Sequence, residues 1–334
     1  MVRKYGQESA FMTRQDEILN EWAGTWVTNP KSDEDRAASN LAKSAITFTR
    51  ADSLISPVAV AVIDILGMTA LLQTKPLEEI AERFAEPFYG LDGGTYLAGL
   101  LPFNSEQLER MGYRRMAEIL SVVISDTILL VRRPDWEITS MFSRASKTNG
   151  DAATNAAIAE AEAVFWLAQY VCKIIKVNSL YGIRLRSAIS FGDCIVSIGG
   201  RPACLGKPTV EASGWEKQQR WIGGMLTPSA IAALRRGAEA AKQLNGANFQ
   251  PKYLNFLVQY PIPLKPGCEA LSEPQIALNW ISGLIPGAMM WKANIPTEED
   301  DAPEDVKRKV ANTISFAKHC ENTDFYTTID WNIA

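Results

Sequence analysis

Val-Ala-Val-Ala-Val-Ile-Asp-Ile-Leu-Gly occupies residues 58–67 and lies within the longest apolar run of the chain, residues 57–72. Residues 58–63 are continuously apolar and mostly β-branched, which predicts a strand buried on both faces. Asp64 closes this strand, and a carboxylate in that position is costly to bury without a partner. The stretch therefore predicts a central strand with a charged group at its carboxyl end.

The elements around this strand follow from periodicity and turn residues. A helix is predicted at residues 69–84, broken at Pro76, and a hairpin at residues 118–131. A long helix at residues 151–177 precedes a strand at residues 183–198, giving the order β-α-β-β-α-β of a ferredoxin-like fold. Further predictions are the hairpin tip at Ser125-Asp126, a turn at Gly192-Asp193, helices at 207–221, 229–244 (capped by Ser229) and 303–320, and strands at 222–226 and 253–260.

The predicted fold class is α+β, a ferredoxin-like domain with a central, mostly antiparallel sheet and flanking helices. Residues 51–260 are predicted to form this domain, between a helical N-terminal extension (residues 1–50) and a C-terminal extension (residues 261–334). The acidic residues 298–301 are interpreted as a solvated linker.

The composition excludes several classes of function. The net charge is −4, so the basic excess of a nucleic-acid-binding protein is absent, and no nucleic-acid partner is expected. Five cysteines without CxxC spacing predict reduced, mostly buried thiols, and one histidine disfavours zinc sites and His-based triads. Any chemistry should therefore depend on carboxylates, metal ions or basic side chains.

The targeting prediction is a cytoplasmic protein. The first residues contain no apolar segment followed by a cleavage site, so no signal peptide is expected. The run at residues 57–72 is too short for a membrane span and is interrupted by Asp64, so no membrane partner is expected.

Asp64 and Asp126 are the main candidates for chemistry. The first strand of a ferredoxin-like fold lies beside the central hairpin, so the two carboxylates can converge. Two carboxylates at one place repel unless a cation lies between them, and Mg²⁺ or Mn²⁺ suits oxygen ligands combined with phosphates. Backbone N–H groups of residues 65–69 would then face a triphosphate. The alternative is that Asp64 caps a helix and Asp126 is only a turn residue.

Four segments, in this order, resemble motifs of class III adenylate and guanylate cyclases: residues 60–69, 124–127, 186–193 and 206–223. The first resembles a strand that ends in Asp-Ile-x-Gly-Phe-Thr, and the second resembles the Gly-Asp metal motif. The third resembles Arg-Gly-Ala-Ile-x-x-Gly-Glu of the bacterial members. The resemblance covers about residues 57–230, roughly half of the chain, and favours Asp64 and Asp126 as metal ligands.

The sequence departs from the family at two places. Many purine cyclases have a Lys shortly before the second metal Asp, where residues 121–124 here are Ser-Val-Val-Ile. The family also has an Asn and an Arg four residues apart on the later helix, where this chain has Val210-Glu211 and Gly214-Trp215. Arg220, four residues after Glu216, is the candidate substitute for the missing catalytic Arg.

With residues 279–280 and 309–316, this pattern is most similar to the pyrimidine cyclases of bacterial anti-phage signalling (Pycsar). That resemblance implies UTP or CTP as the substrate, with UTP favoured, and a cyclic nucleotide that serves as a second messenger in defence. The alternatives are an adenylate or guanylate cyclase, and a catalytically inactive cyclase-like module that binds nucleotide or dimerises.

The resemblance also implies two Mn²⁺ or Mg²⁺ ions per site and a head-to-tail homodimer with active sites at its interface. The implied metal ligands are Asp64, the backbone carbonyl of Ile65, and Asp126, and the implied substrate-binding residues are Leu66, Gly67, Met68, Thr69 and Ser125.

Overall fold

The computed structural model describes residues 55–80, 119–124, 126–134, 151–198, 201–246, 253–254, 256–268, 275–282, 293–297, 302–321, 326–327 and 329. The predicted N-terminal extension and the acidic residues 298–301 lie outside these ranges. The chain divides into two compact units, one made of residues 57–193 and 206–334 and the other of residues 1–56 and 194–205.

The structure has the predicted α+β architecture, with a central sheet and packed helices. The strands are β1 (Ile55–Ile65), β2 (Ile119–Ile124), β3 (Thr127–Arg132), β4 (Leu185–Ile198), β5 (Arg201–Gly206), β6 (Gly223–Leu226), β7 (Tyr253–Leu254), β8 (Leu257–Gln259), β9 (Ile276–Leu278) and β10 (Tyr326–Thr327). The helices are α1 (Met68–Thr74), α2 (Ala152–Leu180), α3 (Lys207–Gln218), α4 (Pro228–Asn245) and α5 (Glu304–Cys320).

The large sheet has the order β2-β3-β1-β4-β6-β9-β8, and β5 pairs with β4. Its first four strands place β1 beside the β2–β3 hairpin, so the predicted β-α-β-β-α-β arrangement is confirmed. The pairs β1–β3, β2–β3, β6–β9 and β8–β9 are antiparallel, and β4–β6 is parallel. Because β9 lies between β6 and β8, the predicted domain boundary at residue 260 falls within this sheet.

The core lies where α2 and α4 pack on each other and on the sheet. Residues 58–63 of β1 are almost completely buried, as the continuous apolar run predicts. A Cβ atom at Gly237 of α4 would lie 2.2 Å from the Cβ of Ala161 on α2, so glycine allows these two helices to approach closely. The largest fully buried side chains of this core include Phe165, Phe256, Trp221 and Trp280.

Two local predictions were wrong. The residue that caps α4 is Thr227, and the hydroxyl of Ser229 instead accepts a hydrogen bond from the N–H of Phe191 at 3.0 Å. Gly192 does not end a strand, because β4 continues through it with φ of 153°. By contrast, the predicted break at Pro76 is confirmed, because α1 ends at Thr74 and residues 77–80 are helical again.

The cysteines agree with the compositional expectation. None of the five forms a disulfide, and four of them are buried. Within the ranges that the structure describes, no helix combines the length and the apolar character that crossing a membrane requires.

Candidate functional site

Asp64 and Asp126 lie side by side at one edge of the sheet. Asp64 is near the end of β1 and pairs in register with Thr127, the first residue of β3. The N–H of Ile65 donates a hydrogen bond to the carbonyl of Asp126 at 3.0 Å. The two acidic residues therefore occupy adjacent positions on neighbouring strands, as the sequence predicts from the hairpin tip.

Arg186 of β4 connects Asp64 to a second, buried carboxylate. Its Nη2 donates to Oδ2 of Asp64 at 3.2 Å, and its Nε donates to Oε1 of Glu216 at 2.5 Å. Its Nη1 donates to the carbonyl of Gln219 at 3.1 Å. Each of the three guanidinium nitrogens thus has its own acceptor, which satisfies a cation whose side chain is only 8% exposed.

The end of α3 holds these acceptors in place. The side-chain amide of Gln219 donates to the carbonyl of Ser187 at 2.8 Å, and its oxygen accepts from Nε1 of Trp221 at 2.7 Å. Trp221 is fully buried and stacks on Tyr260, so it is a packing residue. The network therefore ties the carboxyl end of α3 to β4 directly behind Asp64.

The electrostatic environment of Asp64 is mixed. Burial raises the pKa of the Asp64 carboxyl, and the guanidinium of Arg186 offsets part of this rise. The charge of Asp126 raises the same pKa further, whereas Lys217 and Lys309 lower it. Asp64 is thus within Coulombic range of two carboxylates, Asp126 and Glu216, which repel it, and of three cations, which attract it.

These residues fit a magnesium or manganese ion. Within the described ranges, no three His, Cys, Asp or Glu side chains form a cluster of the kind that holds a metal by itself. Mg²⁺ commonly binds through only one or two carboxylates and completes its shell with water and substrate phosphates. The two mutually repelling carboxylates of Asp64 and Asp126 provide a donor set of that type.

The segment after β1 is only partly available to a triphosphate. The N–H of Ile65 is bonded to Asp126, and the N–H of Leu66 donates to the carbonyl of Arg184 at 2.9 Å. This corrects the expectation that both N–H groups face a ligand, because the sheet already uses them. Gly67 has a φ of 82°, which glycine adopts without strain, and Met68 begins α1. The structure does not describe Ser125 or the side chain of Thr69.

The contacts of Arg220, the predicted catalytic residue, are with helix α5. Its Nε and Nη2 both lie 3.2 Å from Oδ1 of Asp305, whereas Oδ2 of Asp305 binds Nζ of Lys309 at 2.7 Å. The backbone carbonyl of Arg220 also accepts from Nδ2 of Asn312 at 2.7 Å. No described contact joins Arg220 to Asp64, so this residue and the carboxylate pair are not brought together directly.

Sequence reasoning missed Arg186, Glu216 and Lys309 as parts of this site. Arg184 and Arg186 alternate with apolar residues, which fits a solvated sheet face as well as a contact to a phosphate or a partner subunit. The only signal was that Arg186 and Glu216 both fall within the segments that resemble cyclase motifs. Lys309 belongs to the 309–316 element of the resemblance, but nothing in the sequence linked it to Asp64, because it comes from a helix more than a hundred residues beyond β4.

Comparison with known proteins gives similarities to solved structures, among them the cyclase and cyclase-like proteins that follow. No protein-family model matches the sequence, and no curated protein is significantly similar to it. The guanylyl cyclase domain of the RhoGC fusion protein from the fungus Blastocladiella emersonii is 13% identical, with a TM-score of 0.30, over 54% of this chain and 85% of that one. A bacterial light-regulated adenylyl cyclase is 13% identical, with a TM-score of 0.30, over 68% of this chain and 91% of that one.

A class III adenylyl cyclase-like ATP-binding protein from Pseudomonas aeruginosa is 15% identical, with a TM-score of 0.31, over 62% of this chain and 44% of that one. Identities and TM-scores this low do not carry an assignment of activity. The function is therefore argued from the residues of the site.

Proposed function

We propose that this protein is a nucleotidyl cyclase, which converts a nucleoside triphosphate into its 3′,5′-cyclic monophosphate and pyrophosphate. The observation that carries the proposal is the adjacency of Asp64 and Asp126 at the end of two paired strands, with cations beside them. The order of the four cyclase-like segments supports it, since each segment supplies one residue of the site: Asp64, Asp126, Arg186 and Glu216.

The proposed roles follow from charge and position. Asp64, Asp126 and the carbonyl of Ile65 would hold Mn²⁺ or Mg²⁺, two ions per site. These ions would supply Lewis acidity at the ribose 3′-hydroxyl and neutralise the phosphates. Lys217 and Lys309, which lie within Coulombic range of Asp64, would attract the triphosphate.

The proposed reaction is an intramolecular displacement. The 3′-oxygen forms a bond to the α-phosphorus as its proton is released. The bond from the α-phosphorus to the oxygen that bridges to the β-phosphate breaks, and pyrophosphate leaves. The negative charge that develops on the phosphates makes nearby cations the groups that favour the transition state over the bound substrate.

The proposed substrate is a pyrimidine nucleoside triphosphate, with UTP favoured over CTP. The support is that residues 121–124, Ser-Val-Val-Ile, lack the Lys that many purine cyclases have there. A site without a matching polar group discriminates against a purine, because the polar edge of the bound base is left unpaired. A head-to-tail homodimer and a second-messenger role in anti-phage defence belong to the same proposal.

The experiment is product identification from the purified full-length chain. The protein is incubated with ATP, GTP, CTP and UTP at equal concentration and Mn²⁺, and the products are separated by liquid chromatography and mass spectrometry. We expect a cyclic pyrimidine monophosphate and pyrophosphate in equal amounts, with UTP preferred over ATP and GTP by at least about tenfold. Cyclic AMP or cyclic GMP as the main product would contradict the pyrimidine assignment and leave the cyclase assignment intact.

A second candidate is a cyclase-like module that binds nucleotide without turnover. It is favoured by α3, where Val210-Glu211 and Gly214-Trp215 replace the Asn and Arg of active cyclases. Glu211 has a structural contact there, since its Oε1 accepts from the N–H of Ser229 at 3.2 Å. Nucleotide binding in equilibrium dialysis, with no cyclic product from any of the four triphosphates, would establish this candidate instead.

A further inference from the structure

Arg186 bonds to Asp64 and also to Glu216, a carboxylate that is buried. Glu216 has a side chain that is 3% exposed, compared with 24% for Asp64. The guanidinium is therefore shared between one carboxylate that is open to solvent and one that is enclosed. The described contacts of Asp64 involve Oδ2 only, so Oδ1 is left for another partner.

The charges in this network are unequal in number. Asp64, Asp126 and Glu216 carry three negative charges, and Arg186 carries one positive charge. Glu216 offsets the charge of Arg186, so that the charge of Asp64 and Asp126 remains for a divalent cation. Without Glu216, the whole positive charge of Arg186 would oppose a cation at Asp64.

The buried ion pair of Arg186 and Glu216 is not expected to stabilise the fold by itself. Burial raises the pKa of the Glu216 carboxyl even though Arg186 is bonded to it, so enclosing this charge is unfavourable. Replacing a buried ion pair by apolar residues of similar volume is often neutral or stabilising. A buried Arg–Glu pair beside Asp64 is therefore better explained by an effect on Asp64 than by a contribution to folding.

We propose that Arg186 is a positioning residue for Asp64, and that Glu216 is its counter-charge. Arg186 holds Oδ2 of Asp64, which fixes the carboxylate with Oδ1 available for a divalent cation, and Glu216 keeps Arg186 from repelling that cation. This inference deepens the proposed function and rests on it, because it assumes that Asp64 is a metal ligand.

The test measures Mn²⁺ binding to the full-length protein without nucleotide, from the electron paramagnetic resonance signal of free Mn²⁺. Glu216→Gln retains an acceptor for Nε of Arg186 but removes the counter-charge. We expect its Kd for Mn²⁺ to rise at least about tenfold, equivalent to about 1.4 kcal/mol. The matched control is Glu160→Gln, because Glu160 pairs with Arg236 at 2.8 Å on another face, and its Kd should equal that of the wild type.

The double variant Arg186→Met/Glu216→Met separates positioning from charge. It removes one positive and one negative charge, so the net charge at the site does not change. Because an apolar pair can replace a buried ion pair, this variant is expected to fold even if Glu216→Gln does not. We expect its Kd for Mn²⁺ to rise about tenfold, because Asp64 is no longer held.

The outcomes distinguish failure of the roles of Arg186 and Glu216 from failure of the metal site itself. If the double variant binds Mn²⁺ as tightly as the wild type, Arg186 does not position Asp64 and the inference is overturned. Unchanged binding by a folded Glu216→Gln variant overturns the counter-charge role. A wild-type protein that does not bind Mn²⁺ contradicts the metal site of the proposed function itself, and the inference with it.

Discussion

Asp64 combines a partly buried charge with a like-charged neighbour. Because burial and Asp126 both raise its pKa, the folded protein without metal disfavours the ionised carboxylate. We predict that Asp64→Asn raises the thermal midpoint of the metal-free protein at neutral pH, since the amide oxygen can still accept from Arg186. The same variant should lose the stabilisation by Mn²⁺ and at least about a hundredfold in turnover. Differential scanning calorimetry with and without Mn²⁺ provides the measurement.

The pH dependence of this effect has a definite sign. The folded pKa of Asp64 is above its ordinary value of 3.8, so the native state takes up its proton more readily than the unfolded chain. The destabilisation is therefore complete above the raised folded pKa and disappears as the pH falls towards the unfolded value. The difference in midpoint between Asp64→Asn and the wild type should shrink over that range, and a constant difference would contradict the electrostatic explanation.

Asp64 and Asp126 could be predicted from the sequence because each has a local signature. One carboxylate ends an apolar strand, and the other lies at the tip of a short hairpin, so β-topology alone brings them together. Arg186 could not be predicted in the same way. It pairs with Glu216, which comes from α3, the helix that follows β5, and period-two alternation does not reveal which face of β4 that helix covers.

The packing of α2 on α4 depends on one small residue. Alanine at position 237 would bring its Cβ within 2.2 Å of the Cβ of Ala161 and within 3.1 Å of the carbonyl of Ala157. We predict that Gly237→Ala destabilises the protein by about 1–3 kcal/mol, because overpacking exceeds the gain in helix propensity of about 1 kcal/mol. Urea denaturation monitored by circular dichroism measures the change.

The matched control for this prediction is Gly214→Ala on α3. No atom lies within 4 Å of a Cβ at position 214, so only the propensity gain remains. This variant should be more stable than the wild type by roughly 0.5–1 kcal/mol. Equal effects of the two substitutions would show that close approach between α2 and α4 is not the reason for Gly237.

Most elements could be predicted because their periodicity is strong, and the errors are at their ends. The apolar β1 and the long α2 are confirmed with shifts of a few residues. Ser229 was predicted as a cap because Ser is a common capping residue, but its hydroxyl lies near the N–H of Phe191. That N–H belongs to β4, which is distant in sequence, so the local pattern around Ser229 does not reveal that this N–H competes with capping for the hydroxyl.

At the level of the whole molecule, the C-terminal helix α5 reaches the region of the carboxylate pair. Lys309 is close enough to lower the pKa of Asp64, and it shares Asp305 with Arg220. We predict that Lys309→Met raises the KM for the nucleoside triphosphate about tenfold with a smaller change in kcat, because the cation mainly attracts the phosphates. Steady-state kinetics of product formation measure both constants.

The matched control is Arg308→Met on the same helix. Arg308 pairs with Glu304 at 3.2 Å and is exposed, so its loss should leave the KM unchanged. An equal rise in KM for both variants would indicate a general effect of positive charge rather than a specific role of Lys309.

The arrangement of the later elements could not be predicted from the sequence. The strand β9 has three residues and joins β6 and β8, from which it is separated by long segments. A strand of three residues is too short to show a periodic pattern in the sequence. Its pairing depends on the neighbouring strands, which come from distant parts of the chain. The proximity of Lys309 to Asp64 depends on the same long-range packing.

The most direct test of the central claim is whether both carboxylates are needed for cyclisation. Formation of cyclic monophosphate from UTP and Mn²⁺ is measured for the wild type, for Asp64→Asn and Asp126→Asn, and for Glu239→Gln, a control on the exposed face of α4. We predict turnover by the wild type and the control, and a loss of at least about a hundredfold in each aspartate variant. Near wild-type turnover in either folded aspartate variant would contradict the assignment of Asp64 and Asp126 as a shared metal site.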